Sequence, residues 1–159
     1  MGCLNNCNIV FTKIWEDNLN QSDLLIEVAI DVWTKNGYMH QVFYTSTFEF
    51  EKFGQAVVTK SYSLNDQLNI RFQESGFHQA VDFCFLPANY HGIIPIDIDL
   101  QVLDNPNELA RCQIRVETEP GMLERFGRAI RRVAYGEVGK VCKLNPDLPA
   151  KCIPCDCTH

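Results

Sequence analysis

The side chains with the clearest metal-binding chemistry cluster toward the C-terminal end of the sequence. The candidate ligands are Cys142, Cys152, Cys155, Cys157 and His159. Two thiolates at Cys-x-x-Cys spacing can point at one ion, which is how a zinc knuckle binds its metal. A structural zinc site usually combines two knuckles, whereas this sequence has one. A bound zinc ion, free thiols, and disulfides to Cys3 or Cys7 therefore all stay open for these cysteines.

Two carboxylates in the longest alternating run form the second candidate site. Asp97 and Asp99 are two residues apart, so they lie on one face of the strand predicted over residues 93–103. Paired carboxylates can carry out acid–base chemistry or bind a cation. Together with His91 in the preceding loop they define a hypothesis of an enzyme site. On an exposed sheet face, the same pair would instead be solvated or would contact a basic partner.

Three common motifs of phosphate-binding, hydrolytic and metal-dependent catalytic sites are missing from the sequence. It has no phosphate-binding glycine loop, no Gly-x-Ser-x-Gly elbow and no His-Glu-x-x-His. Its four histidines are isolated from one another. We therefore predict a protein that binds a partner and has no enzymatic activity, with a site around His91 as the alternative.

The elements that must position these side chains are mostly strands. Alternating apolar residues predict strands in segments that include 23–33, 79–86, 93–103 and 109–118. Ser46 and Glu49 form a capping-box pattern ahead of apolar residues at helical spacing, which predicts a helix over about 47–60. Pro120 opens a second apolar stripe, which predicts a helix over about 119–135. The sequence thus predicts an α+β fold, mainly an antiparallel β-sheet or sandwich of about six to eight strands with two helices.

The apolar periodicity ends at Tyr135, and glycines and prolines interrupt the residues that follow. We therefore predict a single β-rich domain over residues 1–135 and an irregular, cysteine-rich tail over residues 136–159. Cys84 and Cys112 lie within apolar strand patterns instead, so both are predicted to be small core residues.

Charge is unevenly distributed along the sequence, whose formal net charge is −6 at pH 7. Residues 119–159 carry seven Lys or Arg and five Asp or Glu, so the first 118 residues carry −8. An acidic body disfavours nucleic acid, because that affinity comes largely from neutralising phosphates, and it favours a basic protein partner. No apolar run approaches the ~20 residues of a membrane span, and the N-terminal residues lack the pattern of a secretory signal. We therefore predict a cytoplasmic protein without membrane contact.

The order of the elements points to a family. A strand pair leads into the helix over 46–60, a His91–Gly92 turn precedes the longest strand, and residues 119–126 open the second helix with Leu and Phe. Over residues 23–133 this order resembles that of small bacterial proteins of unassigned function related to the immunity proteins of polymorphic and contact-dependent toxin systems. The resemblance implies a cytoplasmic antidote that binds and occludes a cognate basic toxin domain, with an acidic face such as that of the two carboxylates above.

The leading hypothesis is therefore a non-enzymatic immunity protein. Buried aromatic residues supply much of the affinity in such interfaces, and the candidate anchors, if they are exposed, are Trp33, Tyr44, Phe77 and Tyr90. One alternative is a metal-binding or redox-sensing module that works through the C-terminal cysteines. The other is the enzyme built on His91 and the paired carboxylates. The sequence predicts neither the binding face nor the oligomeric state.

Overall fold

The computed structural model describes residues 6–17, 23–104 and 107–151. Three strands and a helix are followed by four strands, a second helix and a short last strand. Their bounds are β1 Cys7–Glu16, β2 Leu25–Thr34, β3 Gly37–Ser46, α1 Thr47–Tyr62, β4 Leu68–Phe72, β5 Gln79–Phe85, β6 Ile94–Asp104, β7 Asn107–Thr118, α2 Pro120–Tyr135 and β8 Val141–Lys143.

The eight strands of the described residues form two antiparallel sheets of four, which confirms the predicted α+β class. Sheet 1 has the strand order β3-β2-β1-β8, and sheet 2 has the order β4-β5-β6-β7. Each sheet turns an apolar face inward because its strands alternate apolar and polar residues; in β6, for example, Ile96, Ile98 and Leu100 are buried. Residues of α1 and α2 complete the same core.

An irregular tail was predicted over residues 136–159; its described part, residues 136–151, contributes the strand β8 to sheet 1, and residues 152–159 lie outside the described residues. β8 pairs with β1 in antiparallel orientation. The Asn8 side chain of β1 is fully buried; it donates to the carbonyl of Asn145 at 3.0 Å and accepts from the Asn145 backbone N–H at 2.8 Å. A three-residue strand is too short to show a repeat in the sequence, so periodicity missed it.

Both helices begin where the sequence predicts. The Ser46 hydroxyl accepts a hydrogen bond from the Glu49 backbone N–H at 3.1 Å and so satisfies one of the donors that a helix N-terminus leaves open. Pro120 occupies the first turn of α2, where its missing N–H would have no helical partner. Neither helix of the described residues is long and apolar enough to cross a membrane.

Phenylalanine dominates the core, and Phe11 of β1 lies at its centre. Its ring centroid is 5.4 Å from that of Phe50 in α1, 5.5 Å from that of Phe126 in α2 and 5.9 Å from that of Phe83 in sheet 2. It also contacts Phe43 of its own sheet at 6.1 Å. One side chain therefore joins both sheets and both helices.

The two helices cross at a pair of glycines. A Cβ atom added to Gly54 of α1 would lie 2.7 Å from the carbonyl oxygen of Gly127 in α2, and a Cβ added to Gly127 would lie 2.7 Å from the carbonyl oxygen of Gly54. Carbon and oxygen do not approach that closely without bonding, so only glycine permits this separation of the helices. Helix propensity alone predicts that both glycines destabilise their helices, whereas the packing of α1 against α2 requires them.

We expect Gly127→Ala to lower the free energy of unfolding by about 1–3 kcal/mol, because the added methyl group forces the helices apart. Urea unfolding followed by circular dichroism measures the change. Gly121→Ala is the matched control, since this residue lies in the first turn of the same helix and nothing lies within 4 Å of an added Cβ. The control should be neutral or slightly stabilising. Equal stabilities for the two variants would contradict the close crossing.

A fully buried lysine lies against the C-terminal end of α2. Lys13 of β1 has no exposed surface. Its Nζ donates to Glu16 at 2.6 Å, to the Gly136 carbonyl at 2.7 Å and to the Ala134 carbonyl at 3.2 Å. The last carbonyls of a helix lack partners within the helix and form the negative end of its dipole, so an ammonium group stabilises them. Nothing in the alternating pattern of β1 indicates this role.

Candidate functional site

The outer surface of sheet 2 carries the paired carboxylates that the sequence singles out. Asp97 and Asp99 both point outward from β6, while Ile98 between them points into the core. The register places polar residues of the other three strands beside them. This surface, called the polar face below, comprises Asn69, Arg71, Asp82, Cys84, Asp97, Asp99, Gln101, Arg111, Gln113 and Arg115.

Each of the two predicted carboxylates is bound by an arginine of β7. Arg115 donates to Asp97 from Nε at 2.6 Å and from an Nη atom at 2.9 Å. Arg111 donates to Oδ1 of Asp99 from Nε at 3.1 Å and to Oδ2 from an Nη atom at 2.5 Å, and Gln113 adds a hydrogen bond to Oδ2 at 3.0 Å. Two parallel hydrogen bonds fix the relative orientation of the two side chains in each pair.

The network continues to the opposite edge of the sheet. Arg71 of β4 binds Asp82 of β5 at 2.6 Å, and the Gln101 amide donates to the same carboxylate oxygen at 2.8 Å. The polar face therefore holds three Asp and three Arg and is formally neutral. The sequence predicts an acidic face here, because the pairing of strands that brings arginines beside the aspartates is not visible in a single strand.

A shallow depression of about 420 Å³ lies in the polar face, with Cys84 in its lining. Cys84 is half-buried and faces outward, so the prediction that it is a core residue is wrong. Burial and the negative charge of Asp97 raise the pKa of its thiol, which keeps it protonated and a poor nucleophile at neutral pH. Cys112 was also predicted to be in the core, but it is exposed because β7 is an edge strand.

The ion pair of Asp99 makes stability depend on pH. Burial alone would raise the pKa of Asp99, but hydrogen bonds from Arg111 and Gln113 outweigh it and hold the pKa below its ordinary value of 3.8. A carboxylate with a lower pKa in the folded state stabilises the fold above its unfolded pKa, and this contribution disappears as pH falls through the folded value.

We expect Asp99→Asn to lower the free energy of unfolding by about 1–2 kcal/mol at neutral pH. This difference from the wild type should shrink as pH falls below about 4, where the wild-type carboxylate becomes protonated and is then neutral, as the Asn side chain is. Urea unfolding of both proteins at a series of pH values measures it. A difference that stays constant down to the lowest pH would show that Asp99 acts through its shape and not its charge.

The structure does not bring together the residues of the enzyme hypothesis. His91 is exposed in the loop between β5 and β6, where its backbone N–H donates to Asn89 and its ring lies 4.0 Å from that of Tyr90. Among the described residues, no hydrogen bond or ion pair joins its side chain to Asp97 or Asp99. Both carboxylates are held by arginines instead.

The four candidate aromatic anchors differ in exposure. Trp33 is buried, and its indole N–H donates to the Pro149 carbonyl at 3.0 Å, so it serves as a core residue. Tyr44 and Phe77 are half-buried and stack on each other with centroids 3.8 Å apart. Tyr90 is 93% exposed and is the one of the four that is available to a partner without rearrangement.

Sequence reasoning missed a polar cluster on the outer side of sheet 1. The buried carboxylate of Asp31 accepts a hydrogen bond from the Tyr38 hydroxyl at 2.5 Å and lies 2.8 Å from Nδ1 of His40. Burial and Asp31 together raise the pKa of Tyr38 above its ordinary value. The sequence does indicate this cluster, because a two-residue turn at Lys35–Asn36 sets the register that places Asp31 opposite His40.

Of the five candidate metal ligands, Cys142 is the one that lies among the described residues. Cys142 is buried in β8, and burial raises the pKa of its thiol to about 12, which disfavours the thiolate that binds zinc. The other candidate ligands, Cys152, Cys155, Cys157 and His159, lie outside the described residues. Within the part of the chain that the structure describes, no group of three or more His, Cys, Asp or Glu side chains could hold a metal ion.

Comparison with known proteins adds little to these observations. No protein-family model and no curated protein sequence matches the chain. Among solved structures, the chain is similar to a structure titled "Structure of the plant transcriptional regulator PBF-2", with 12% sequence identity and a TM-score of 0.47. The alignment covers 81% of this chain and 75% of that one. A similarity at this level carries no statement about function.

Proposed function

We propose that the chain is a non-enzymatic binding protein that engages a protein partner through the polar face. The observation that carries the proposal is the set of arginine–aspartate pairs that spans all four strands of this outer surface. Two of the pairs, Arg71–Asp82 and Arg115–Asp97, are largely exposed, and an exposed ion pair contributes only ~0–1 kcal/mol to stability, so folding alone does not require them. At an interface, the fixed direction of guanidinium–carboxylate hydrogen bonds confers specificity for a partner.

The shape of the polar face supports a protein partner over a small molecule. Small ligands usually enter enclosed pockets lined mainly by apolar side chains. The depression on the polar face is about half open to solvent, and five of the eight residues that line it carry charged or amide side chains. Protein interfaces that form and dissociate are about as polar as the rest of the surface, which fits this composition.

The chemistry of the polar face supports binding without catalysis. A general acid or base needs a carboxylate that can exchange its proton near neutral pH. Guanidinium groups bind Asp82, Asp97 and Asp99. At Asp99, hydrogen bonds from Arg111 and Gln113 hold the pKa below its ordinary value, so this carboxylate stays charged at neutral pH. The Cys84 thiol has a raised pKa, so it is not an activated nucleophile.

A narrower form of the proposal is an immunity protein that acts in the cytoplasm against a basic toxin domain. It is supported by the net charge of −6 and by the resemblance described above. A basic partner would bind the polar face by placing its own cationic side chains against Asp97 and Asp99, in place of Arg115 and Arg111. Both arginine side chains are about half exposed, with 47% and 55% of their surface accessible, so they can turn away without unpacking the core.

The binding proposal is tested by blocking the polar face. Gln113→Trp places a bulky ring at the exposed edge of the depression, and Thr59→Trp places the same ring on the exposed side of α1. In extracts of the native host, we expect the wild type and Thr59→Trp to purify with a stoichiometric protein partner, and Gln113→Trp to purify without it. Retention of that partner by Gln113→Trp would place the binding site elsewhere.

The narrower form is tested by the sign of the partner's charge. Replacing Arg111 and Arg115 by Gln uncovers two carboxylates, so the affinity for a basic partner should increase, most strongly at low salt. Replacing Asp97 and Asp99 by Asn should decrease it. The opposite order, measured by titration calorimetry with the purified partner, would identify an acidic partner and overturn the immunity form while leaving binding itself intact.

A further inference from the structure

A groove runs between α1 and the edge of sheet 2. It has a volume of about 610 Å³, and its lining includes Lys52, Phe53 and Ala56 of α1 and the consecutive residues 69–74, which begin in β4. Successive side chains of a strand point to opposite faces, so a cavity that contacts consecutive residues lies beside the strand and not over one face of it. β4 is the terminal strand of sheet 2, so this cavity, called the β4 groove below, follows a sheet edge.

The ladder between β5 and β6 shows which way the backbone of β5 faces. At one end of this pair, the Leu86 N–H donates to the Pro95 carbonyl at 2.9 Å. At the other end, the Leu103 N–H donates to the His78 carbonyl at 2.7 Å. Because the backbone groups of successive residues point to opposite sides of a strand, the even-numbered residues of β5 face β6 and its odd-numbered residues face β4.

The outward backbone groups of β4 follow from the same alternation. The odd-numbered residues of β5 pair with Leu68, Ile70 and Phe72, whose backbone groups are therefore directed toward β5. The N–H and C=O groups of Asn69 and Arg71 then point away from the sheet, at the edge that the groove follows. Among the described residues, none forms a hydrogen bond with these outward groups. Unpaired backbone groups on a sheet edge are a template for another strand.

One wall of the groove is apolar. Ala56 of α1 and Ile70 of β4 are half-buried, and the rings of Phe53 and Phe72 pack with their centroids 5.1 Å apart. A strand that adds to β4 continues the pleat of the sheet, so every second side chain of the added strand lies on the same side as Ile70 and contacts α1. This wall therefore selects apolar side chains at alternate positions.

The charged residues of the groove are arranged along its length. The ring contact above places the N-terminal half of α1 beside the C-terminal end of β4, so Glu49 and Glu74 line the same end. Lys52 and Arg71 lie nearer the middle, with side chains that are 56% and 43% exposed. Opposite charges on neighbouring strands stabilise a sheet. An added strand is therefore favoured by a basic residue at the end of the glutamates and by an acidic residue beside the two cations.

We propose that the β4 groove binds an extended segment of a partner protein, which adds to sheet 2 as a fifth strand. Hydrogen bonds to the main chain of Asn69 and Arg71 supply affinity, while the apolar wall and the charges select the sequence of the segment. α1 bounds the groove on one side, and Tyr44 and Thr45 of β3 line the end at which α1 begins. A single extended strand fits this space, whereas the edge of a second complete sheet does not.

The proposal does not rest on the function of the polar face. Asn69 and Arg71 contribute their side chains to that face, but the groove uses their backbone groups and the side chains of α1. A partner could therefore occupy either surface without the other.

The first test measures the binding of defined peptides to the full chain. Peptides are selected on the wild type from a phage-displayed library of random linear sequences, and the affinities of the synthetic peptides are measured by fluorescence anisotropy. Asn69→Pro removes one outward N–H at an edge where proline is tolerated, and Asn69→Thr is the matched control that keeps the N–H. We expect Asn69→Pro to weaken binding about tenfold and Asn69→Thr to leave it unchanged. Equal affinities for the two variants, or a library from which no peptide is enriched, would overturn the proposal.

The second test fills the groove without changing β4. Ala56→Leu extends a side chain into the groove, and Gln55→Leu adds the same side chain on the exposed surface of α1, outside the groove lining. We expect Ala56→Leu to weaken peptide binding at least about tenfold and Gln55→Leu to leave it unchanged. Undiminished binding to Ala56→Leu would place the peptide elsewhere. Gln113→Trp, which blocks the polar face, should bind the peptides as the wild type does, so the two surfaces are tested separately.

The third test uses the wild-type chain and so does not depend on the folding of a variant. Amide hydrogen exchange is followed by NMR with and without a selected peptide. We expect the amides of Asn69 and Arg71 to exchange more slowly when the peptide is bound, and that of Ile70, which is directed toward β5, to change little. Unchanged exchange at Asn69 and Arg71, or slow exchange there in a dimer without peptide, would show that this edge does not bind a peptide strand.

Discussion

Phe11→Ala should lower the free energy of unfolding by about 3–5 kcal/mol, the largest loss expected from any single truncation in the core. The Phe11 ring is fully buried and contacts rings from both sheets and both helices. Its removal leaves a cavity that four different elements would have to close together. In a domain of this size, the loss corresponds to a melting temperature lower by about 10 °C. Urea and thermal unfolding followed by circular dichroism measure it.

Two control variants separate the central position of Phe11 from the general effect of losing a ring. Phe11→Leu keeps most of the apolar volume and should cost less than about 1.5 kcal/mol. Phe48→Ala removes a ring that is 50% exposed in the first turn of α1 and should change stability by about 0.5 kcal/mol or less. If Phe11→Ala were as mild as Phe48→Ala, the two sheets and two helices would not share one core.

Lys13→Met should be nearly as damaging, with a loss of about 3–4 kcal/mol. Methionine keeps the apolar stem but removes the ammonium group, so the carbonyls of Ala134 and Gly136 lose a donor in a buried place. The partner Glu16 also loses its cation. We expect the C-terminal turn of α2 to unfold first, because the lost hydrogen bonds belong to that turn.

Amide hydrogen exchange locates this effect, and Glu16→Gln is its control. Glu16 is 31% exposed, so water replaces part of its interaction, and its substitution should cost about 1 kcal/mol or less. In Lys13→Met, the amides at the end of α2 should exchange faster than those of β6. Equal stabilities of Lys13→Met and Glu16→Gln would mean that the helix end does not depend on the lysine.

The sequence predicted the elements well wherever a repeat was long enough to read. The alternation in β6 and the capping pattern at Ser46 located a strand and a helix start, and both are present in the structure. The same alternation placed Asp97 and Asp99 on one outward face. Local patterns of this kind depend on the backbone of one segment, so they are visible without knowledge of the fold.

What the sequence did not predict depends on contacts between distant segments. The pairing of Arg111 with Asp99 comes from the register of β6 with β7, which a single strand does not reveal. The buried position of Lys13 requires the end of α2 to lie above β1. The pairing of β8 with β1 joins the two ends of the described chain and leaves no periodic signal in three residues.

The opposite placements of Cys84 and Cys112 show a related limit. Both were assigned to the core because their neighbours are apolar. Cys84, however, falls between the buried residues Phe83 and Phe85, so the strand turns it outward. Cys112 points to the inner side but lies on an edge strand, where the core does not cover it. The exposure of Cys84 follows from which face of the strand it lies on, and the exposure of Cys112 follows from the position of its strand at the edge of the sheet.

We propose that the polar face of sheet 2 binds a protein partner, and site-specific photo-cross-linking in the native host detects such a contact at a single residue. A benzophenone amino acid is placed at Asn69, which is exposed on that face, or at Thr59 on α1 as the control, in both cases in the Ala56→Leu variant, whose β4 groove is filled. We predict a discrete adduct from Asn69, larger than this chain by the mass of a different protein, and none from Thr59. An adduct from Thr59 alone, or no adduct from Asn69 in cells that contain the folded protein, would contradict the claim.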